Sequence, residues 1–207
     1  MKSKKALIIV DLQNDFLPGG ALGVKDGNLI IPIINKLQLK FSTVIATRDW
    51  HPKNHISFAS THNYKPGDFV FVEGFKQELW PDHCIQNTEG AQFSENFDSS
   101  RATFIVSKGV DPFVDSYSAF FDNQRKRSTG LDVFLKEKGI EQLYFSGLTT
   151  EFCIRYSVID AVSLGFDVYV FEDAIKPVSL KPRDEERAIL EMKQMGAHFL
   201  QTIEFKL

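Results

Sequence analysis

Two spacings of apolar residues alternate along the chain. Residues 6–10 form an unbroken run, Ala-Leu-Ile-Ile-Val, that stops at Asp11. A run too short for a helix and bounded by polar residues predicts a buried central strand over 5–11, its last residue emerging at the sheet edge. A loop bearing Gly19 and Gly20 follows, after which Ile30, Ile33, Ile34 and Leu37 recur on one helical face. The same rhythm returns further on. Short apolar runs predict strands over 43–47, 104–107, 142–146, 168–171 and finally 198–201, while helical spacing predicts helices over 130–138, 151–164 and 184–195. Strands separated by helices imply a mainly parallel sheet covered on both faces, a three-layer α/β/α sandwich. Ligands in such sheets bind beyond the carboxyl ends of the strands. Asp11, Asp49, Lys108 and the segment leading to Cys153 each follow a predicted strand, so one edge is expected to collect them.

Residues 49–101 break the rhythm. A stretch this long without regular elements is uncommon unless it builds a site or is disordered. Its Trp50, Phe58, Phe69, Phe71, Phe75 and Trp80 argue against disorder. The chain is therefore read as one domain, 1–207, with a site-building loop region over about 49–101.

Composition narrows the function. With 43% hydrophobic and 25% charged residues the chain is an ordinary globular protein. A net charge of -3 with scattered Lys and Arg offers no basic stripe, so no nucleic-acid partner is expected. The apolar run after Met-Lys-Ser-Lys-Lys is interrupted by Asp11, which is unlike an export signal, and no stretch reaches the roughly 20 apolar residues that cross a bilayer. Cys84 and Cys153 cannot make a disulfide framework and suit a reducing compartment, so a cytoplasmic location without membrane attachment is expected. The 19 phenylalanines could supply either a homo-oligomer contact or a Phe-rich core.

Candidate chemistry lies at the predicted strand ends. Cys153 begins a helix after a strand, where unpaired N–H groups and the helix dipole favour a thiolate and an adjacent oxyanion. A lone Cys more often fills core space, an Asp at a strand end often caps a turn, and a lysine is usually solvated. Together, Asp11 as proton acceptor and Lys108 as fixed cation supply what a Cys153 nucleophile needs where no histidine serves it. Asp49-Trp-His51 places an acid and an imidazole on one side of an extended segment, and His83 adds a second nitrogen. That donor set admits a divalent ion with open positions, zinc first, with iron or manganese as alternatives.

These residues lie in the segments Ile8-Ile-Val-Asp-Leu-Gln-Asn-Asp-Phe16, Asp49-Trp-His-Pro-Lys-Asn-His-Ile-Ser-Phe58, Trp80-Pro-Asp-His-Cys84, Ser107-Lys-Gly109, Asp115-Ser-Tyr-Ser-Ala-Phe120 and Gly147-Leu-Thr-Thr-Glu-Phe-Cys153. In that order they resemble the nicotinamidase branch of the isochorismatase-like hydrolase superfamily, over nearly the whole chain. The resemblance implies the isochorismatase-like three-layer fold, a triad at Asp11, Lys108 and Cys153, and a metal held by Asp49, His51 and His83. It further implies a substrate pocket formed by Phe16, Trp80 and Tyr117, and an oxyanion hole from the backbone N–H groups of Thr149 and Cys153. The bond before Thr149 is often cis in relatives. The implied reaction is hydrolysis of nicotinamide to nicotinate and ammonia through a cysteine thioester, within NAD salvage, with pyrazinamide as a related substrate. By resemblance the open metal position accepts the pyridine nitrogen. Some relatives carry a further histidine ligand where an ungapped comparison finds Ser57, so three protein ligands plus water, with Ser57 at longer range, are expected; His55 and His62 stay open as ligands but are expected to face solvent. The rival readings are a carbamoyl or ureido amidohydrolase, a vinyl ether hydrolase that would not need Cys153, and a silent binding protein of the same fold.

Overall fold

The computed structural model describes residues 4–205. Strand β1 (Lys4–Val10) leads into helix α1 (Ile31–Leu37) and strand β2 (Val44–Asp49). A single turn, α2 (Ala59–His62), precedes a hairpin of β3 (Phe69–Val72) and β4 (Phe75–Glu78). Strand β5 (Phe104–Lys108), helix α3 (Leu131–Glu137) and strand β6 (Ile140–Leu148) follow. The chain ends with α4 (Arg155–Ser163), β7 (Asp167–Lys176), α5 (Asp184–Met195) and β8 (His198–Leu200). Six strands form one sheet in the order β5-β2-β1-β6-β7-β8, every pair parallel.

Alternation along β1 shows why its apolar run is unbroken. Ala6, Ile8 and Val10 pack with Leu131, Leu135, Val158 and Met192 of α3, α4 and α5 on one face. Leu7 and Ile9 pack with Ile31, Ile34 and Leu37 of α1 on the other. A strand buried on both faces has no polar side to show, and period two is hidden inside uniform apolarity. The three-layer sandwich expected from the sequence is the fold observed.

Strand ends extend beyond their apolar runs. β2 runs to Asp49 and β5 to Lys108, so these polar residues are the last of their strands and face each other in register. β6 and β7 are also longer than expected, with a register shift between Phe145 and Gly147. Gly147 is required there: it has φ +116, and a Cβ would lie 2.1 Å from the Val10 carbonyl oxygen. The hairpin corrects the expectation that 49–101 lacks regular elements. Glu73 and Gly74 both take positive φ, 51 and 85, as a two-residue hairpin turn between aromatic and β-branched positions demands.

Candidate active site

Asp11 leaves β1 in the left-handed region, with φ 52. That conformation costs a non-glycine residue about 1–3 kcal/mol and is kept where the surroundings enforce it. It sends the carboxylate across to the ends of β2 and β5. Thr47 Oγ1 donates to Asp11 Oδ1 at 2.6 Å, and Lys108 Nζ lies 2.8 Å from Asp11 Oδ2. The same ammonium donates to Cys153 Sγ at 3.3 Å and pairs with Asp49. Lys108 is 1% exposed, so it is not the solvated lysine its type suggests. The structure thus brings Asp11, Lys108 and Cys153 together, with Asp49 beside them.

One buried cation serves three acidic groups, and that fixes their protonation. Burial alone would lower the Lys108 pKa, but Asp11, Asp49 and the thiol hold it well above its usual value. Burial opposes the Asp49 charge, yet Lys108 and His51 hold that carboxyl well below the usual range. Asp11 is pushed up by burial and by Asp49, against the pull of Lys108. Burial also pushes Cys153 well above an ordinary thiol, and the two aspartates add to it against Lys108. At the helix start, burial and the two aspartates thus oppose ionisation of Cys153, and Lys108 favours it.

The turn bearing Cys153 is a π turn, Thr150–Ile154, that runs into α4. Ile154 N–H donates to Thr149 O at 3.1 Å. The first N–H groups of any helix lack partners within it, which makes this turn a natural cradle for negative charge. The Leu148–Thr149 peptide bond is cis.

Asp49 is also one corner of a donor cluster. Its Oδ2 lies 3.5 Å from His51 Nε2 and 3.7 Å from His83 Nε2. His51 Nδ1–H donates to Gly109 O at 3.0 Å and His83 Nδ1–H to Pro81 O at 2.7 Å. With Nδ1 of each ring engaged by a carbonyl oxygen, both Nε2 atoms turn toward the carboxylate, the arrangement in which carbonyls orient metal-bound imidazoles. Gly109 permits it, since a Cβ there would lie 2.3 Å from the His51 ring. Two imidazole nitrogens and one carboxylate oxygen fit a divalent ion of intermediate hardness.

His55 does not face solvent. It is wholly buried, its Nδ1 shares a hydrogen with Ser57 Oγ at 2.7 Å, and its ring centroid is 4.3 Å from that of His51. Burial, then His51, lowers its pKa to about 4, so it is neutral. Its Nε2 finds no partner among the described residues, and its ligating atom clusters with those of His51 and Asp115. Ser57 is buried and engaged with His55, while His62, half-buried, binds Ile56 O at 2.7 Å.

Sequence reasoning missed Gln13. Its Nε2 donates to Asp49 O at 2.7 Å and Ala91 O at 2.9 Å, and its Oε1 accepts Asp49 N–H at 2.7 Å. It also missed Asp15, whose Oδ2 accepts Cys84 N–H at 2.7 Å and so fixes the backbone next to His83. The polar run directly after β1 was the available signal for both.

Phe16, Trp80 and Tyr117 line one pocket with Cys153, Thr149 and the donor cluster. Trp80 Nε1–H donates to Tyr117 OH at 3.0 Å. Phe152, which the sequence did not single out, stands edge-on to Trp80 with centroids 4.8 Å apart and completes the aromatic wall. A flat apolar slot between a thiol and a metal-type donor set suits a small planar aromatic amide.

The parallel three-layer sandwich gathers a buried Cys-Lys-Asp centre at its strand ends, an arrangement able to support a cysteine hydrolase. The chain belongs to the isochorismatase family: residues 5–204 match the Isochorismatase domain. A nicotinamidase of Escherichia coli (strain K12) is 44% identical over 197 residues, covering 93% of this chain and 92% of that protein. The solved structure of an Acinetobacter baumanii nicotinamidase and pyrazinamidase superposes with a TM-score of 0.95 at 41% identity, covering 99% of each chain. A Pyrococcus horikoshii pyrazinamidase solved in complex with zinc superposes at 0.80 with 40% identity, covering 96% of this chain and 99% of its own.

Proposed function

We propose that this chain hydrolyses nicotinamide to nicotinate and ammonia, a step in the recycling of NAD, with Cys153 as nucleophile. The observation that carries the assignment is Lys108 Nζ, buried 2.8 Å from Asp11 and 3.3 Å from Cys153, with Cys153 itself lining an aromatic pocket that also holds Asp49, His51 and His83. The likeness to nicotinamidases of known name supports the substrate.

As Cys153 Sγ attacks the carboxamide carbon its proton passes to Asp11, whose raised pKa makes it a competent acceptor. Lys108 keeps its charge throughout and stabilises whichever neighbour is anionic. The oxyanion is received by the N–H groups of Thr149 and Cys153. Asp11 then protonates the departing ammonia, a thioester remains on Cys153, and water deprotonated by Asp11 releases nicotinate and restores the thiol. Phe16, Trp80 and Tyr117 hold the ring. A divalent ion on Asp49, His51 and His83, zinc by analogy with the Pyrococcus horikoshii structure, would supply a Lewis acid for the ring nitrogen.

Among the described residues no helix is long and apolar enough to cross a membrane. A cytoplasmic location is part of the proposal.

Ammonia release from nicotinamide, measured before and after dialysis against a chelator, tests the reading. The holoprotein is expected to turn over, the stripped protein to lose at least about tenfold in kcat/KM, and added zinc to restore it. A holoprotein that releases no ammonia refutes the assignment.

A further inference from the structure

Glu151 stands two residues before the nucleophile, is 6% exposed, and has no part in the chemistry above. Its carboxylate reaches the segment leaving β7. Oε1 accepts Ser179 N–H at 2.6 Å and Oε2 accepts Val178 N–H at 3.1 Å. Val178 is a wall of the substrate pocket. Ser179 has φ 55, so the backbone reverses at the fastening point. Glu151 itself belongs to the π turn that carries Phe152, another pocket wall, and Cys153. Arg155 secures the turn from its other side, donating through Nε to Glu151 O at 3.1 Å and pairing through NH1 with Glu191 Oε2 at 2.7 Å on α5. Bonds from N–H groups to an ionised acceptor are stronger than neutral ones, and two of them on adjacent amides fix both position and orientation.

We propose that Glu151 is a positioning residue that clamps Val178 against the nucleophile turn and so sets the width of the slot that takes the pyridine ring. The inference rests on the amidase reading. The Asp11, Lys108 and Cys153 contacts do not involve this carboxylate, so its loss acts on ring binding rather than on bond making.

Glu151→Gln keeps the size of the side chain but sets an NH2 group against one of the two N–H donors. Its KM for nicotinamide is expected to rise about tenfold with kcat within about twofold, the pattern of lost uniform binding. Its relative kcat/KM for 5-methylnicotinamide over nicotinamide is expected to rise. Val178→Ala should reproduce both changes, and the double variant should be no worse than the more impaired single one, because both act on the same wall. Additive losses, or a fall in kcat at unchanged KM, overturn the clamp. If Glu151→Gln does not fold, Val178→Ala with an unchanged ratio for the two substrates overturns it alone. Wild-type protein that fails to release ammonia instead refutes the amidase reading, which separates the two failures.

Discussion

Two regions meet at Asp49 and are held there by different means. The Lys108 centre rests on the sheet: Asp49 and Lys108 are register partners at the ends of β2 and β5, and Asp11 leaves the adjacent β1 with its N–H donating to Thr47 O at 3.2 Å. The histidine pair rests on irregular backbone. His51 is pinned by its ring bond to Gly109 O and its backbone bond to Cys84 O at 3.0 Å, and His83 by Pro81 O. A sheet buried on both faces distributes its support over many bonds and much apolar area, whereas a loop site depends on a few individual hydrogen bonds. The chemistry that must keep sub-ångström geometry is on the first kind of support, and the part that must admit an ion and a ring is on the second.

The largest expected effect isolates the first region. Cys153→Ala removes the sulfur proposed to form the thioester and takes nothing from the Asp49, His51, His83 cluster. Turnover should fall by at least about 10^4-fold, the scale on which nucleophile removal operates in triad enzymes. Metal content by elemental analysis should match wild type. Turnover within a hundredfold of wild type would unseat Cys153, and lost metal would show that the two regions are not separable.

The converse substitution comes next. His51→Ala removes a donor and its Gly109 bond but touches neither Lys108 nor Asp11. Metal affinity is expected to drop at least about 100-fold, beyond the 10–100-fold that outer partners alone command. The rate at which iodoacetamide alkylates Cys153 should stay within about threefold of wild type. A large change in that rate would mean that the strand-end centre leans on the loop after all.

The same contrast explains what was legible in the sequence. β1, α3 and α5 could be read because burial imposes a spacing on apolar residues, and the strand-end chemistry followed because ligand sites of parallel sheets lie beyond the strands' carboxyl ends. Asp49 and Lys108 could be placed near one another in this way, but not as register partners, because polar residues at strand ends carry no hydrophobic signal. The β3–β4 hairpin was legible in Phe-Val-Phe-Val followed by Glu73-Gly74, and was obscured by the histidines and prolines around it. His55 was misplaced for a different reason: its burial is created by Phe58 and His51 folding over it, which no local pattern encodes. The upward push on the Cys153 thiol likewise comes from burial, and then from two carboxylates that only the fold brings close.

Gln13 is where the two supports join, and it carries the smallest and most discriminating effect. Its side-chain amide grips both backbone groups of Asp49 and ties them to Ala91 in the loop, extending the β1–β2 edge by one side chain. Gln13→Ala would leave a donor and two acceptors without their partner in a buried site. Each orphan costs about 1–3 kcal/mol, less whatever water can enter and satisfy. With partial rehydration a net loss of about 2–3 kcal/mol is expected, a fall of roughly 4–12 °C in Tm for a domain of this size. If the sheet alone holds the catalytic centre, the kcat of metal-saturated Gln13→Ala should remain within severalfold of wild type, because β2 and β5 still align Asp49 with Lys108. Metal affinity should weaken by about tenfold, since the carboxylate now hangs from a backbone anchored on one side only. Titration with zinc alongside thermal denaturation reads both quantities. A lowered Tm with unchanged zinc affinity would assign Gln13 to the fold alone, and a collapse of kcat at saturating zinc would show that the strand-end centre borrows its rigidity from the loop.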